Sequence, residues 1–151
     1  MAVLIAPPSL GDLLKYELNG NFTRETVTLK SGTDYPLGAV LGKITASGKY
    51  RLAPAAEVTG DEGAENAIAV LIEPVDATDA NATGLIIARG TVIVSEAALV
   101  FDPSVDQAGE KTTKKTQLAA IGIIPRQTVY GAHSWLPSPI PSTRAAIRSP
   151  R

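Results

Sequence analysis

A mainly β domain with one short helix is the fold class this sequence predicts, and three observations carry the prediction. The apolar residues are chiefly Ala, Val, Leu and Ile, with Phe22, Phe101, Trp135 and four tyrosines as the only aromatic side chains. The chain also holds 13 Gly and 11 Pro, a composition that suits short strands joined by turns better than a helical bundle. Finally, several short stretches alternate apolar and polar residues with the period of a strand. The 151 residues suffice for one compact domain with extended ends. The expected division is an N-terminal arm over 1–22, a β-rich domain over 23–124 and an extended Pro- and Arg-containing tail over 125–151.

The arm begins apolar, is broken by Pro7-Pro8 and continues without a clear period. Glu25 to Lys30 alternates strictly: Val27 and Leu29 share one face, Thr26, Thr28 and Lys30 the other. That pattern is a half-buried strand, stopped by Ser31-Gly32. Ala39 to Ile44 reads as a second strand with glycines at points of close approach or bulging. Ser47-Gly48 turns the chain into Lys49-Tyr50-Arg51-Leu52, where alternation returns. Glu57 to Asn66 reads as an acidic loop, and Ala67 to Ile72 as a fully buried strand bounded by Glu73-Pro74. Leu85 to Ala88 and Thr91 to Val94 flank Arg89-Gly90, which fits a hairpin or one long strand bulged at Gly90. Pro103 to Ala119 is the best helix candidate, with Pro103 and acids early and Lys114 and Lys115 late. The stretch from Leu118 to Ile124 is apolar up to Pro125. Pro137, Pro139, Pro141 and Pro150 then mark a tail without a sustained apolar pattern.

Net charge is only −1, yet the charges are segregated. Between Arg51 and Arg89 stand Glu57, Asp61, Glu62, Glu65, Glu73, Asp76 and Asp79 with no Lys or Arg among them. After Glu110 come Lys111, Lys114, Lys115, Arg126, Arg144, Arg148 and Arg151 with no acid. Such asymmetry can steer association with a complementary surface, or simply reflect solvated loops and tails. Nucleic-acid binding is disfavoured because the cations are thinly spread and aromatics rarely sit among them. No apolar run approaches the roughly 20 residues of a membrane-spanning helix. Met1 to Leu10 carry no cationic side chain, so no secretory leader is expected and the protein is read as soluble and intracellular when made.

The chemistry-bearing residue types are sparse. With no Cys there is no thiol nucleophile, thiolate metal site or disulfide. His133 is the only histidine and stands in the tail, away from anything that reads as a nucleophile elbow. Phosphate-loop and dinucleotide glycine motifs do not occur. Asp61-Glu62 is read as part of a solvated acidic loop rather than as a catalytic pair. No catalytic residue, metal site or cofactor is expected.

The run from Glu25-Thr-Val-Thr-Leu-Lys-Ser-Gly through Tyr35-Pro-Leu-Gly-Ala-Val-Leu-Gly-Lys-Ile44, followed by Lys-Tyr-Arg-Leu at 49–52, resembles the head decoration proteins of lambda-like tailed bacteriophages. Ala67 to Ile72, Arg89-Gly-Thr-Val92 and the Lys-rich segment ending in Ala119-Ala-Ile-Gly-Ile123 are similar to later blocks of that family, in the same order. The likeness spans about residues 17–124. It implies a small β-rich fold of the β-clip or β-tulip kind. It also implies a virion structural protein, made in the host cytoplasm, that sits on the outer surface of the expanded capsid head as a homotrimer at three-fold axes. There its arms would add to the sheet of the major capsid protein and stabilise the shell against DNA pressure. The tail after Pro125 departs from short members of the family.

Read physically, Glu25, Thr26, Val27, Thr28, Leu29 and Lys30 follow a flexible arm and offer backbone groups for strand addition to a coat protein. The other reading pairs this strand inside its own domain. Trp135 is a candidate anchor for the tail, either on a partner or on its own domain. A fibre, spike or receptor-binding module is the competing structural role. An enzyme similar in fold to the trimeric dUTP pyrophosphatases would need an Asp-Arg-Ser-type motif and a metal-binding carboxylate set, and neither is visible in the sequence.

Overall fold

The computed structural model describes residues 5–127. In chain order its first elements are α1 (Leu10–Leu13), β1 (Leu14–Glu17), α2 (Gly20–Thr23), β2 (Arg24–Leu29), β3 (Thr33–Tyr35), β4 (Val40–Lys43) and β5 (Tyr50–Leu52). They are followed by β6 (Ala69–Leu71), β7 (Val75–Ala77), β8 (Ala82–Ile87), β9 (Val92–Ser95), a 3-10 turn at Glu96–Ala98, α3 (Ala108–Ala120) and β10 (Ile123–Arg126). The mainly β class with one helix of substantial length is as the composition indicated. Strands β2, β5, β4, β6 and β8 bond in that order and close into a barrel, while β1, β9 and β10 form a second sheet and β3 pairs with β7.

Two apolar clusters lie on opposite faces of the barrel wall. Leu41, Leu71 and Ile86 point into one, with Leu29, Tyr35, Tyr50 and Leu52. Their chain neighbours Val40, Val70 and Ile87 point into the other, with Leu13, Val92, Val94, Leu118 and Ile123 from the second sheet and the helices. Strand β6 is buried throughout, and Val40–Leu41 of β4 and Ile86–Ile87 of β8 are covered on both faces, so these stretches lose the alternation of β2. Each fully buried Leu or Ile contributes about 1.5–3 kcal/mol.

Gly42 shows why a glycine interrupts β4. A Cβ there would stand 1.9 Å from the Ala64 carbonyl oxygen, so the loop after β5 presses on bare backbone. Gly90 resolves the two alternatives for Arg89-Gly90 differently from both. Its φ of +98° turns the chain out of the barrel, so β8 and β9 belong to different sheets instead of forming a hairpin or one bulged strand.

Of the segment read as an arm, residues 10–22 fold into the domain. Leu13 is fully buried, and β1 runs antiparallel to β9 from Leu14↔Val94 to Glu17↔Val92. At the other end, β10 runs parallel to β9 from Ile123↔Val92 to Arg126↔Ser95. Pro125 is tolerated because β10 is an edge strand. The helix starts at Ala108 rather than near Pro103. Asp102 instead closes a turn, accepting from the Ser104 N–H and hydroxyl at 2.9 and 2.7 Å. Glu110 then accepts from the Asp106 and Gln107 N–H groups and caps the helix start. One turn apart on α3, Lys114 and Leu118 face inward. The Lys114 ammonium donates to the Glu65 carbonyl, and burial pushes its pKa down.

Candidate functional site, an open strand edge beside exposed apolar side chains

Strand β2 is paired with β8 over its whole length, from Arg24↔Ile87 to Leu29↔Ala82. On its other side it meets β5 at a single position, Leu29↔Tyr50, where the Lys30 N–H donates to the Tyr50 carbonyl at 2.8 Å. The Ala88 N–H donates to the Thr23 carbonyl at 2.9 Å, which fixes the parity of the ladder. Glu25 and Val27 therefore turn their backbone groups to β8, and Arg24 and Thr26 turn theirs away. The Arg24 N–H is taken by the Gly20 carbonyl, which ends α2. The Arg24 carbonyl and both backbone groups of Thr26 face a side that no described strand occupies. Of the six residues singled out in the sequence, Glu25 to Leu29 lie in β2 and Lys30 directly follows it. Their alternation is as read, with Thr26 and Thr28 exposed, Val27 half-buried and Leu29 buried.

Edge strands are commonly guarded by an unpaired charge. Here every charge at the edge is turned to an internal partner. Arg24 grips Glu17 with Nε at 3.0 and 3.1 Å and Nη2 at 2.6 Å. That guanidinium, helped by the Thr23 hydroxyl, holds the Glu17 carboxyl below its usual range. Glu25 pairs with Arg89, whose guanidinium also donates to the Phe22 carbonyl and lies 5.9 Å from the Phe22 ring centre. The Lys30 ammonium donates to both Asp61 oxygens at 2.6 and 2.7 Å. Arg51 donates to the same carboxylate at 2.5 Å and approaches Asp102 at 3.6 Å. Lys30 first and Arg51 second lower the Asp61 pKa.

Large apolar side chains are exposed in the segment that leads into β2. Ile5, Leu10, Tyr16, Leu18 and Phe22 are exposed, whereas Val58 is the one other large apolar side chain so exposed among the described residues. Phe22 is 56% exposed and stands two residues before β2. The Glu17–Arg24 pair ties the end of β1, and with it Tyr16 and Leu18, to the start of β2. The outer edge of β1 is also unpaired in its sheet. A strand side with open main-chain groups, its charges paired internally, can accept another extended segment through main-chain hydrogen bonds.

Two sequence readings are refined here. Asp61 stood in what read as a solvated acidic loop; Glu62 is exposed as expected, but Asp61 is buried at the centre of an ion-pair cluster. Arg89 and Glu17 were not singled out, because their partners Glu25 and Arg24 become neighbours only through folding. Trp135 lies outside the described residues. Among the described residues no group of three or more His, Asp and Glu could hold a metal, and no helix is long and apolar enough to cross a membrane.

Residues 3–123 match the family described as bacteriophage lambda head decoration protein D. No curated protein matches the chain.

Proposed function

The chain belongs to the bacteriophage lambda head decoration protein D family, a structural component of the phage capsid, and from that premise we propose that it binds the outer surface of the expanded head through the open edge of β2. The observation that carries the reading is the open main-chain side at the Arg24 carbonyl and Thr26, flanked by charges that are all paired internally and preceded two residues earlier by the exposed Phe22. A strand of the major capsid protein adds to this edge, and the N-terminal segment supplies apolar contact. Three copies at a three-fold axis form a homotrimer on the shell, so individually weak edges engage together and gain in avidity. Bridging neighbouring capsomers in this way stabilises the head against the pressure of packaged DNA. The role is mechanical rather than catalytic, and its place is the virion surface.

The test mixes purified protein with procapsids and with expanded heads lacking it, then sediments each. Saturable co-sedimentation with expanded heads, and greater resistance of those heads to heat, are the expected results. Thr26→Pro removes an N–H that faces away from β8, so it leaves the ladder intact and should abolish binding while the domain stays folded by circular dichroism. Absence of binding to either form of head would overturn the reading, and full binding by Thr26→Pro would move the contact away from β2.

A further inference from the structure

A cleft of about 480 Å³ opens far along the chain from β2. Its walls are the 3-10 turn with Glu96 and Ala97, the following Leu99 and Phe101, the Lys111 and Lys115 side of α3, and Gln127. Gln127 is the last described residue, so the C-terminal segment sets out from the cleft itself. We propose that this cleft is the docking site of the chain's own residues 128–141, with Trp135 seated on Leu99 and Phe101.

The chemistry of the two sides matches. Lys111 makes no ion pair among the described residues, so its ammonium is available to the face of an indole. Glu96, held by Lys115 at 2.5 Å, presents a carboxylate that an indole N–H can donate to. Pro137, Pro139 and Pro141 follow Trp135 directly. They restrict the backbone beforehand, so laying it into a groove with an aromatic floor loses little entropy. The cations of the segment, Arg144, Arg148 and Arg151, come later and need not approach Lys111 and Lys115. Reach is sufficient, since the eight residues from Gln127 to Trp135 extend up to roughly 25 Å. The family match ends at residue 123, so the docking segment lies beyond it while the cleft walls other than Gln127 lie within it.

Trp135 is the only tryptophan, so the fluorescence of the full chain reads its surroundings directly. Its emission should lie at shorter wavelength than that of a synthetic 128–151 peptide, with slower quenching by acrylamide at every protein concentration. Ala97→Arg fills the cleft from an exposed position and should return both readings to those of the peptide without changing the thermal unfolding midpoint. Lys111→Glu, a charge reversal at the cleft wall, should raise quenching in the same direction. Peptide-like emission in the unaltered chain would overturn the proposal, as would protection that survives both substitutions. Protection that fades on dilution would assign the cleft to a second copy's segment and equally overturn the own-chain assignment. Binding to heads is a separate measurement, so failure here leaves the role of β2 untouched.

Discussion

The two sides of the barrel treat the same backbone chemistry in opposite ways. Strands β4, β6 and β8 have partners on both edges and apolar clusters on both faces. Strand β2 has its upstream half paired on one edge only and shows Thr26 and Thr28 to solvent. The first arrangement places the most deeply buried side chains of the barrel wall and holds the fold. The second holds little of the core and leaves main-chain donors and acceptors available. Stability and recognition are thereby assigned to different strands, and a substitution can strike one without the other.

The largest effect should come from the closed side. Leu71→Ala empties space in the interior cluster and should cost about 2–5 kcal/mol, read by denaturant unfolding, while the fraction that stays folded still binds heads. An intermediate effect is expected at the hinge between the two sides, where Asp61 joins Lys30, next to β2, to Arg51 of β5. Asp61→Asn should cost about 1–2 kcal/mol, the figure being held down because Lys30 and Arg51 keep contact with water. Since the folded pKa of Asp61 lies below its usual 3.8, the ionised carboxylate stabilises the fold above that value. This contribution is lost as pH falls through the folded pKa, so acid unfolding monitored by circular dichroism should lose part of its steepness below about pH 4 in the Asn variant. The smallest effect on stability belongs to the open side. Phe22→Ser should shift unfolding by less than about 0.5 kcal/mol, yet weaken co-sedimentation with heads. Equal loss of stability at Phe22 and Leu71 would erase the distinction.

Much of this division was legible beforehand. Alternation across Glu25–Lys30 identified a half-buried strand, and the unbroken apolar run Ala67–Ile72 identified one buried on both faces, because periodicity records which faces meet water. What could not be read was which edges pair. Closure of β8 onto β2, the parallel pairing of β10 with β9, and the antiparallel pairing of β1 depend on contacts between distant residues, and no local pattern encodes them. Strand β1 was hidden for a further reason: Leu14 and Tyr16 alternate with Lys15 and Glu17, but Tyr16 stays exposed, so the pattern is short and only half used. The ion pairs behave alike. Lys30 and Asp61 are separated by 31 positions, and an acid in a run of acids gives no sign that it alone will be buried.

The pairing of every edge charge with an internal partner has a consequence away from the virion. With its charges already paired, the strand carries less to discriminate a coat segment from another copy of itself, and Thr-Val-Thr-Leu favours extended pairing. In concentrated solution without heads, two molecules are therefore expected to meet edge to edge, and self-association competes with assembly. Light scattering should then show the Thr26→Pro variant staying dispersed at concentrations where the unaltered chain associates.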